Sequence, residues 1–204
     1  MPEPHDERVA VFDAEGRAAG ALPRDEAKRS GLAVGAVNVL LVNARGEVLL
    51  QRRPGDKENG GRWDKTVGGH VDEGESFDRA AVREAGEELF HDASSPWVRL
   101  VGDEAEFARV VAETDPTRQV LFFRAALQLN LRDVRLVPGG GIRSVLYHVA
   151  IYLGRTDVPV ESFRPPVDDV GAPRAPRQTR VAADPGVAPQ LAPDPTTATL
   201  SQPI

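Results

Sequence analysis

Apolar runs of strand length, separated by glycine-rich turns, mark the first third of the 204-residue chain. The stretch "VAVFDAEGRAAGAL" predicts a hairpin, and residues 34–42 form a mostly continuous apolar run that is typical of a buried strand. The turn "NARG" follows, and "EVLLQRR" is predicted to return as a second strand. The stretch "WDKTVGGHV" predicts a short strand that enters a glycine-rich corner, with Trp63 packing at the strand start.

The spacing of apolar positions becomes helical at residues 76–90, where Ser76 can act as N-cap and Asp78 places negative charge in the first turn. The stretch "EAEFARVVAET" predicts another helix, and Asp115-Pro116 predicts the start of a helix over "DPTRQVLFFRAALQ". The run "LRDVRLVPGGGIRSVLYHVAIYLGRT" predicts two strands joined by a Pro-Gly-rich turn.

The composition of the chain changes at about residue 162. Residues 165–204 contain nine of the 17 prolines and no aromatic side chain. Such a segment cannot bury enough apolar surface to offset the entropy lost on ordering. We therefore predict one folded domain over residues 1–162 and a low-complexity, disordered tail over residues 163–204.

Composition and charge exclude several classes of function. The chain has no cysteine, which rules out disulfides, thiolate metal sites and cysteine nucleophiles. Its net charge of −6 speaks against a nucleic-acid partner, which normally requires a basic face. No apolar run reaches 18 residues, so no membrane partner is indicated. The N-terminus lacks the basic-then-apolar order of a secretory signal, and we expect a cytoplasmic protein.

Three glutamates, Glu84, Glu87 and Glu88, fall within about a quarter turn of one another on the predicted helix. Each like-charged pair at this spacing costs roughly 0.2–0.5 kcal/mol, and Arg83 relieves only part of that cost. A divalent cation such as Mg²⁺ would turn the arrangement into a binding site, because Mg²⁺ takes carboxylate oxygens as ligands. The alternative is a solvated acidic helix face.

The spacing upstream decides between these interpretations. Gly69 is followed by five residues and Glu75, and then by seven residues and the run "REAGEE". This pattern resembles the Nudix box, the signature of hydrolases that act on nucleoside diphosphates linked to another group. Phe90 and His91 stand where the family pattern has a glycine and an aliphatic residue. This departure concerns the end of the helix rather than any metal ligand.

The resemblance extends over roughly residues 6–160. This part of the sequence is similar to the Nudix branch that includes isopentenyl-diphosphate isomerases and their hydrolase relatives. The resemblance implies an α/β fold, an α/β/α sandwich around a mixed sheet. It also implies hydrolysis of a phosphoanhydride bond in a small phosphorylated substrate, with Mg²⁺ or Mn²⁺ as cofactor. The implied catalytic residues are Glu75, Arg83, Glu84, Glu87 and Glu88, the implied metal ligands are Glu84, Glu87, Glu88 and the Gly69 carbonyl, and the implied substrate contacts are Arg52, Arg53, Lys57, Gly68 and Gly69.

Several alternatives stay open at this point. Solubilising surface charge could explain the cations, and the general base could be a box glutamate or a residue such as Glu104 or Glu106. Isomerase chemistry, as the family implies, needs a cysteine where Gly68 stands and a histidine where Val34 stands, and is disfavoured. A Nudix-like nucleotide-binding module without turnover is a further alternative.

The end of the predicted domain also departs from the family. Nudix sandwiches usually close with a helix after the last strand, and no such helix is legible after "LYHVAIYLGRT". We therefore expect one face of the sheet to be partly uncovered, which would favour either a homodimer or low stability.

Overall fold

The computed structural model describes residues 7–163 and the backbone of residues 179–182. In chain order its elements are β1 (Arg8–Phe12), β2 (Ala18–Pro23), α1 (Arg24–Ala27), β3 (Ala33–Val42), β4 (Val48–Arg52), β5 (Trp63–Asp64), β6 (Val67–His70), α2 (Phe77–Phe90), β7 (Val98–Val101), α3 (Glu104–Glu113), β8 (Val120–Leu136), β9 (Ile142–Arg155), a 3₁₀ turn (Val160–Ser162) and β10 (Thr179–Ala182). The predicted N-terminal hairpin and the predicted strands of the first third are confirmed.

The strands form one mixed sheet in the order β10-β4-β3-β9-β8-β7. Strand β3 runs parallel to β9, and β7 runs parallel to β8, whereas β8 and β9 form a long antiparallel pair. Along its other edge, β3 pairs in turn with β1, β6 and β4. This arrangement places the glycine-rich strand β6 beside the middle of β3.

Helices α2 and α3 cover opposite faces of the sheet. Neighbouring residues of a strand point to opposite faces, and on β8 the side chain of Phe122 joins the cluster that contains the buried residues of α2. Leu121 and Phe123 join a separate cluster with Val110 of α3. The α/β sandwich around a mixed sheet that the sequence indicated is confirmed.

Helix α2 forms where the apolar spacing predicted it. The Ser76 hydroxyl accepts a hydrogen bond from the Arg79 N–H at 3.3 Å and so acts as the predicted N-cap. The helix buries small residues, which lets it lie close to the sheet. It ends at His91, whose backbone is left-handed with φ of 57°. Gly86 allows the next loop to fold back, because a Cβ there would lie 2.2 Å from the Asp92 carbonyl oxygen.

The predicted helix after Asp115-Pro116 is wrong, because residues 120–136 form strand β8. Asp115 closes only a short turn, in which its carboxylate accepts hydrogen bonds from the backbone and hydroxyl of Thr117. The run "VLFF" that follows is buried at all four positions. Burial on both faces is expected of a covered strand, whereas a surface helix would leave one side exposed. The tertiary environment therefore overrides the local cap signal.

The C-terminal region differs in part from its prediction. Phe163, which the sequence placed in the tail, is buried and packs edge-on against Phe90. Residues 179–182 form β10 and pair antiparallel with β4. The remainder of the predicted tail lies outside the described residues. No α-helix follows β9 within residues 156–163.

The predicted partners can be compared with the lengths of the helices and with the exposed apolar side chains. None of the helices in the described residues is long and apolar enough to cross a bilayer. Exposed apolar side chains on β8 and β9 include Leu127, Val134 and Ile142, the last of them 73% exposed. The homodimer stays a prediction.

Candidate functional site

A polar cavity of about 610 Å³ lies where β6, the middle of β3 and the C-terminal half of α2 meet. It collects residues that are far apart in the sequence. Of the residues that the sequence singled out, those lining the cavity are Arg53, Lys57, Gly68, Gly69, Arg83, Glu84, Glu87 and Glu88.

Two of the predicted residues lie outside this lining. The Arg52 side chain is exposed and its Nε donates to the Gly61 carbonyl at 3.0 Å, so the structure does not bring Arg52 into the cavity. Glu75 lies behind the lining, where it accepts a hydrogen bond from the Asp72 N–H at 3.2 Å. It thereby closes the loop that leads from β6 to α2.

Arg83 organises the acidic group. Its guanidinium donates to both carboxylate oxygens of Glu75, at 3.1 and 2.9 Å, and to the His70 carbonyl at 3.0 Å. Its Nη1 also donates to Glu84 at 3.0 Å and to Glu87 at 3.3 Å. Burial alone would lower the pKa of Arg83, but the bonds to Glu75 and the charges of the other carboxylates raise it above its ordinary value.

Gly69 makes room for the Glu84 carboxylate. A Cβ on Gly69 would lie 1.9 Å from the carboxylate carbon of Glu84, so no other residue type fits without moving that side chain. The Glu84 side chain is only 14% exposed. Burial, with the like charges of Glu88 and Glu87 and despite the opposing charge of Arg83, raises its pKa to about 7.

Glu88 faces a different set of donors. One of its carboxylate oxygens accepts hydrogen bonds from the Gln51 side chain at 3.2 Å and from the Gly68 N–H at 3.4 Å. The sequence analysis did not single out Gln51. Gln51 is a polar residue at a buried position of β4. The sequence shows that it is polar, but only the folded sheet shows that it is buried.

The donor chemistry of this group fits a hard divalent cation, which prefers carboxylate and carbonyl oxygens. Glu84 and Glu87 turn toward Arg83, whereas Glu88 turns toward Gln51 and Gly68. Consequently, no three His, Cys, Asp or Glu side chains of residues 7–163 stand close enough together to hold a metal ion. Burial is the main cause of the raised pKa of Glu84, and the like charges of Glu88 and Glu87 add to it. A bound cation would offset both effects.

The buried charge of Glu84 predicts a specific effect on stability. The pKa of this acid is about 7 in the folded chain, against an ordinary value of 4.5. Its contribution to stability is therefore fully present below pH 4.5 and is lost as the pH rises to 7. Glu84→Gln should raise the free energy of unfolding of the metal-free protein by about 2–3 kcal/mol at pH 8, and by less than about 1 kcal/mol at pH 5.

Urea denaturation in the presence of a chelator measures both values. The exposed residue Glu113 on α3 supplies the control, because Glu113→Gln should leave stability nearly unchanged at either pH. If Glu84→Gln raised the free energy of unfolding equally at both pH values, the buried charge of Glu84 would not be the cause.

Several cations line the cavity beside the carboxylates. Arg53 donates to the Asp64 carboxylate at 2.8 Å and to the Glu58 carbonyl at 2.6 Å. Lys57 is half exposed, and its ammonium lies 3.9 Å from the Asp56 carboxylate. Sequence reasoning missed further lining residues. Lys65 lies just before the box, and segments far from it contribute Arg24, Lys28, Asn38, Arg135 and Tyr147.

Three other residues do not take the places that the sequence suggested. Glu104 and Glu106 lie on α3, on the opposite face of the sheet from α2, and neither lines the cavity. Glu106 accepts a hydrogen bond from the Gly102 N–H at 2.7 Å. Trp63 begins β5, as predicted, and is 45% exposed, so its packing role stays a prediction.

A mixed sheet between two helices, with a glutamate-bearing loop and helix at a polar cavity, defines an α/β sandwich with an acidic site. Residues 32–132 match the family model described as NUDIX domain. The chain belongs to the Nudix family.

Individual relatives match over a shorter part of the chain. The chain is 40% identical over 84 residues to an uncharacterised Nudix hydrolase of Pseudomonas aeruginosa, covering 41% of this chain and 50% of that protein. It is 39% identical over 85 residues to an isopentenyl-diphosphate Delta-isomerase of Halorhodospira halophila, covering 41% and 49%. The chain thus matches about half the length of these curated relatives. The crystal structure of DR0079 from Deinococcus radiodurans aligns with 75% of this chain and 74% of that chain, at 21% identity and a TM-score of 0.48.

Proposed function

We propose that the protein is a Mg²⁺-dependent hydrolase. It cleaves a phosphoanhydride bond of a nucleoside diphosphate or triphosphate, or of a nucleoside diphosphate derivative, by attack of water on phosphorus. The observation that carries the proposal is the meeting of Glu84, Glu87 and Glu88 with the cations Arg53 and Lys57 in one cavity. Membership of the Nudix family supports it.

The residues of the site divide the work between them. Glu84, Glu87 and Glu88, once turned toward one another, would hold Mg²⁺ or the substitute Mn²⁺ together with the Gly69 carbonyl. The bound ion would neutralise charge on the phosphoryl oxygens. Arg83, tied to Glu75, orients the glutamates.

The remaining roles are substrate binding and proton removal. The forked guanidinium of Arg53 and the ammonium of Lys57 bind phosphate oxygens. Because Glu104 and Glu106 lie away from the cavity, the box glutamates are the candidates for the general base.

A nucleotide-binding module without turnover is the second candidate. The observation that favours it is that the three glutamates do not converge on one point within the described residues. Isomerase chemistry is disfavoured, because the resemblance implies that it needs a cysteine where Gly68 stands and the chain has no cysteine.

The test is a substrate panel. The purified protein is incubated with nucleoside di- and triphosphates, nucleotide sugars, dinucleotides and isopentenyl diphosphate, with and without Mg²⁺, and products are separated by chromatography. We expect Mg²⁺-dependent release of a phosphorylated product from at least one nucleotide. Binding of nucleotides without cleavage, in a folded sample, would favour the binding module. Conversion of isopentenyl diphosphate alone would overturn the proposal.

A further inference from the structure

The lysines of this chain are all placed at the cavity. The sequence contains only three lysines, Lys28, Lys57 and Lys65, against 22 arginines. All three line the cavity of the box glutamates. Lysine is ordinarily a surface residue, and its compact ammonium on a flexible stem is suited to approaching a phosphate as a point charge. We therefore ask, for each lysine, which contact or role accounts for its position at the cavity.

The positions of two of the three lysines are already accounted for. Lys28 is almost fully buried and forms an ion pair with Glu58 at 3.3 Å. Lys57 is half exposed on the loop after β4 and is already among the predicted substrate contacts. Lys65 was not predicted, and its side chain is only 18% exposed.

Gly68 determines the path of the Lys65 side chain. A Cβ on Gly68 would lie 1.9 Å from Cε of Lys65 and 2.9 Å from its Nζ. The resemblance implied Gly68 as a substrate contact, and the structure places the end of the Lys65 side chain against it. The N–H of Gly68 points to the Glu88 carboxylate at 3.4 Å. Lys65 therefore passes over the residue that contacts Glu88.

Asp64 holds two of the cations from behind. One of its carboxylate oxygens lies 3.4 Å from the Lys65 ammonium, and the other accepts a hydrogen bond from Arg53 at 2.8 Å. One carboxylate thus serves two cations, and the group carries one net positive charge. Arg53 and Lys65 both line the cavity, whereas Asp64 does not. The surplus charge faces the space in which a phosphate would lie.

We propose that Lys65 contacts the phosphate group of the substrate beside the box glutamates, and that Gly68 and Asp64 are positioning residues that hold its ammonium there. The inference rests on the proposed function, since it assigns a substrate contact in the same cavity. It adds a cation that comes from the strand connection between β5 and β6 rather than from the loop after β4.

Binding of inorganic pyrophosphate, measured by calorimetry without added metal, tests the contact apart from turnover. Lys65→Met keeps most of the stem and removes the charge, and should raise Kd roughly 10- to 100-fold. Lys65→Arg keeps the charge but not the compact ammonium, and its Kd should lie between those of the wild type and Lys65→Met. Gly68→Ala should weaken binding as Lys65→Met does, because its Cβ displaces Cε. Arg62→Met removes an exposed cation that does not line the cavity, and should change nothing.

KM and kcat for any cleaved nucleotide are measured with the same variants, and thermal melting shows that each is folded. If the wild type cleaves nothing but the pyrophosphate affinities follow this order, the hydrolase proposal fails and the Lys65 contact stands. If the wild type cleaves a nucleotide while Lys65→Met has unchanged Kd and KM, the contact is overturned and the hydrolase stands. A wild type that does not bind pyrophosphate overturns the contact as well.

A second measurement uses only the wild-type protein, and it tests the contact even if Lys65→Met does not fold. Acetylation of wild-type lysines is followed by mass spectrometry, with and without pyrophosphate. Protection of Lys65 supports the contact, and equal labelling in both samples overturns it.

Discussion

Glu88→Gln is expected to lower kcat/KM for the cleaved nucleotide by about 10³-fold, while leaving the melting temperature within a few degrees of the wild type. The amide keeps the shape of the side chain and its contact surface near Gln51 and Gly68. It removes the negative charge that the proposed cation requires. Loss of several kcal/mol of transition-state stabilisation corresponds to this factor, at 1.36 kcal/mol for each tenfold change in rate.

Steady-state kinetics at saturating Mg²⁺ measure the effect, and the matched control is Glu104→Gln. Glu104 is an exposed glutamate on α3, on the other face of the sheet, and its replacement should leave kcat/KM unchanged. If Glu104→Gln abolished activity while Glu88→Gln retained it, the assignment of the site to the box glutamates would be wrong. A large rise in KM for Glu88→Gln at constant kcat would instead assign Glu88 to ground-state binding.

Gly154→Ala is expected to have the largest effect on stability, about 3 kcal/mol or more, which corresponds to a fall in the melting temperature of roughly 6–12 °C. Gly154 lies on β9 opposite Phe122 of β8. A Cβ there would lie 2.2 Å from the Leu121 carbonyl oxygen and 2.6 Å from Cβ of Phe122. Neither atom can rotate away, because both belong to the paired strand.

Gly55→Ala provides the comparison, because a Cβ on Gly55 meets no atom within 4 Å. Its free energy of unfolding should differ from that of the wild type by less than about 0.5 kcal/mol. Urea or thermal denaturation of the two variants side by side checks the difference. Equal stability of Gly154→Ala and Gly55→Ala would show that β8 and β9 can separate locally at no measurable cost.

Local signals in the sequence were sufficient for α2 and for much of the site. The N-cap at Ser76, the small buried residues and the spacing of Glu84, Glu87 and Glu88 all act within one helix, so they can be read without knowledge of the fold. The same holds for the hairpin and for strands β3 and β4, where the period of apolar positions and the turn residues agree.

Signals that depend on contacts between distant segments could not be read in this way. The helix predicted after Asp115-Pro116 became β8, because the burial of "VLFF" arises from the layers above and below the sheet. Gln51 donates a hydrogen bond to Glu88 only because the sheet places β4 beside α2. Glu104 and Glu106 were candidates for the general base on charge alone, and the alternation of faces along β8 places them on the far side.

The long pair of strands β8 and β9 has a consequence for how this protein can change over generations. The inner half, with Phe122, Ala150 and Tyr152, is buried in the core and tolerates little substitution. In the outer half, Asp133 and Arg135 line the cavity, whereas Val134 between them faces solvent. Mutations there can alter the lining of the cavity without replacing the glutamates on α2. The outer lining of the cavity can therefore vary, while the glutamates stay on a helix that packs against the core.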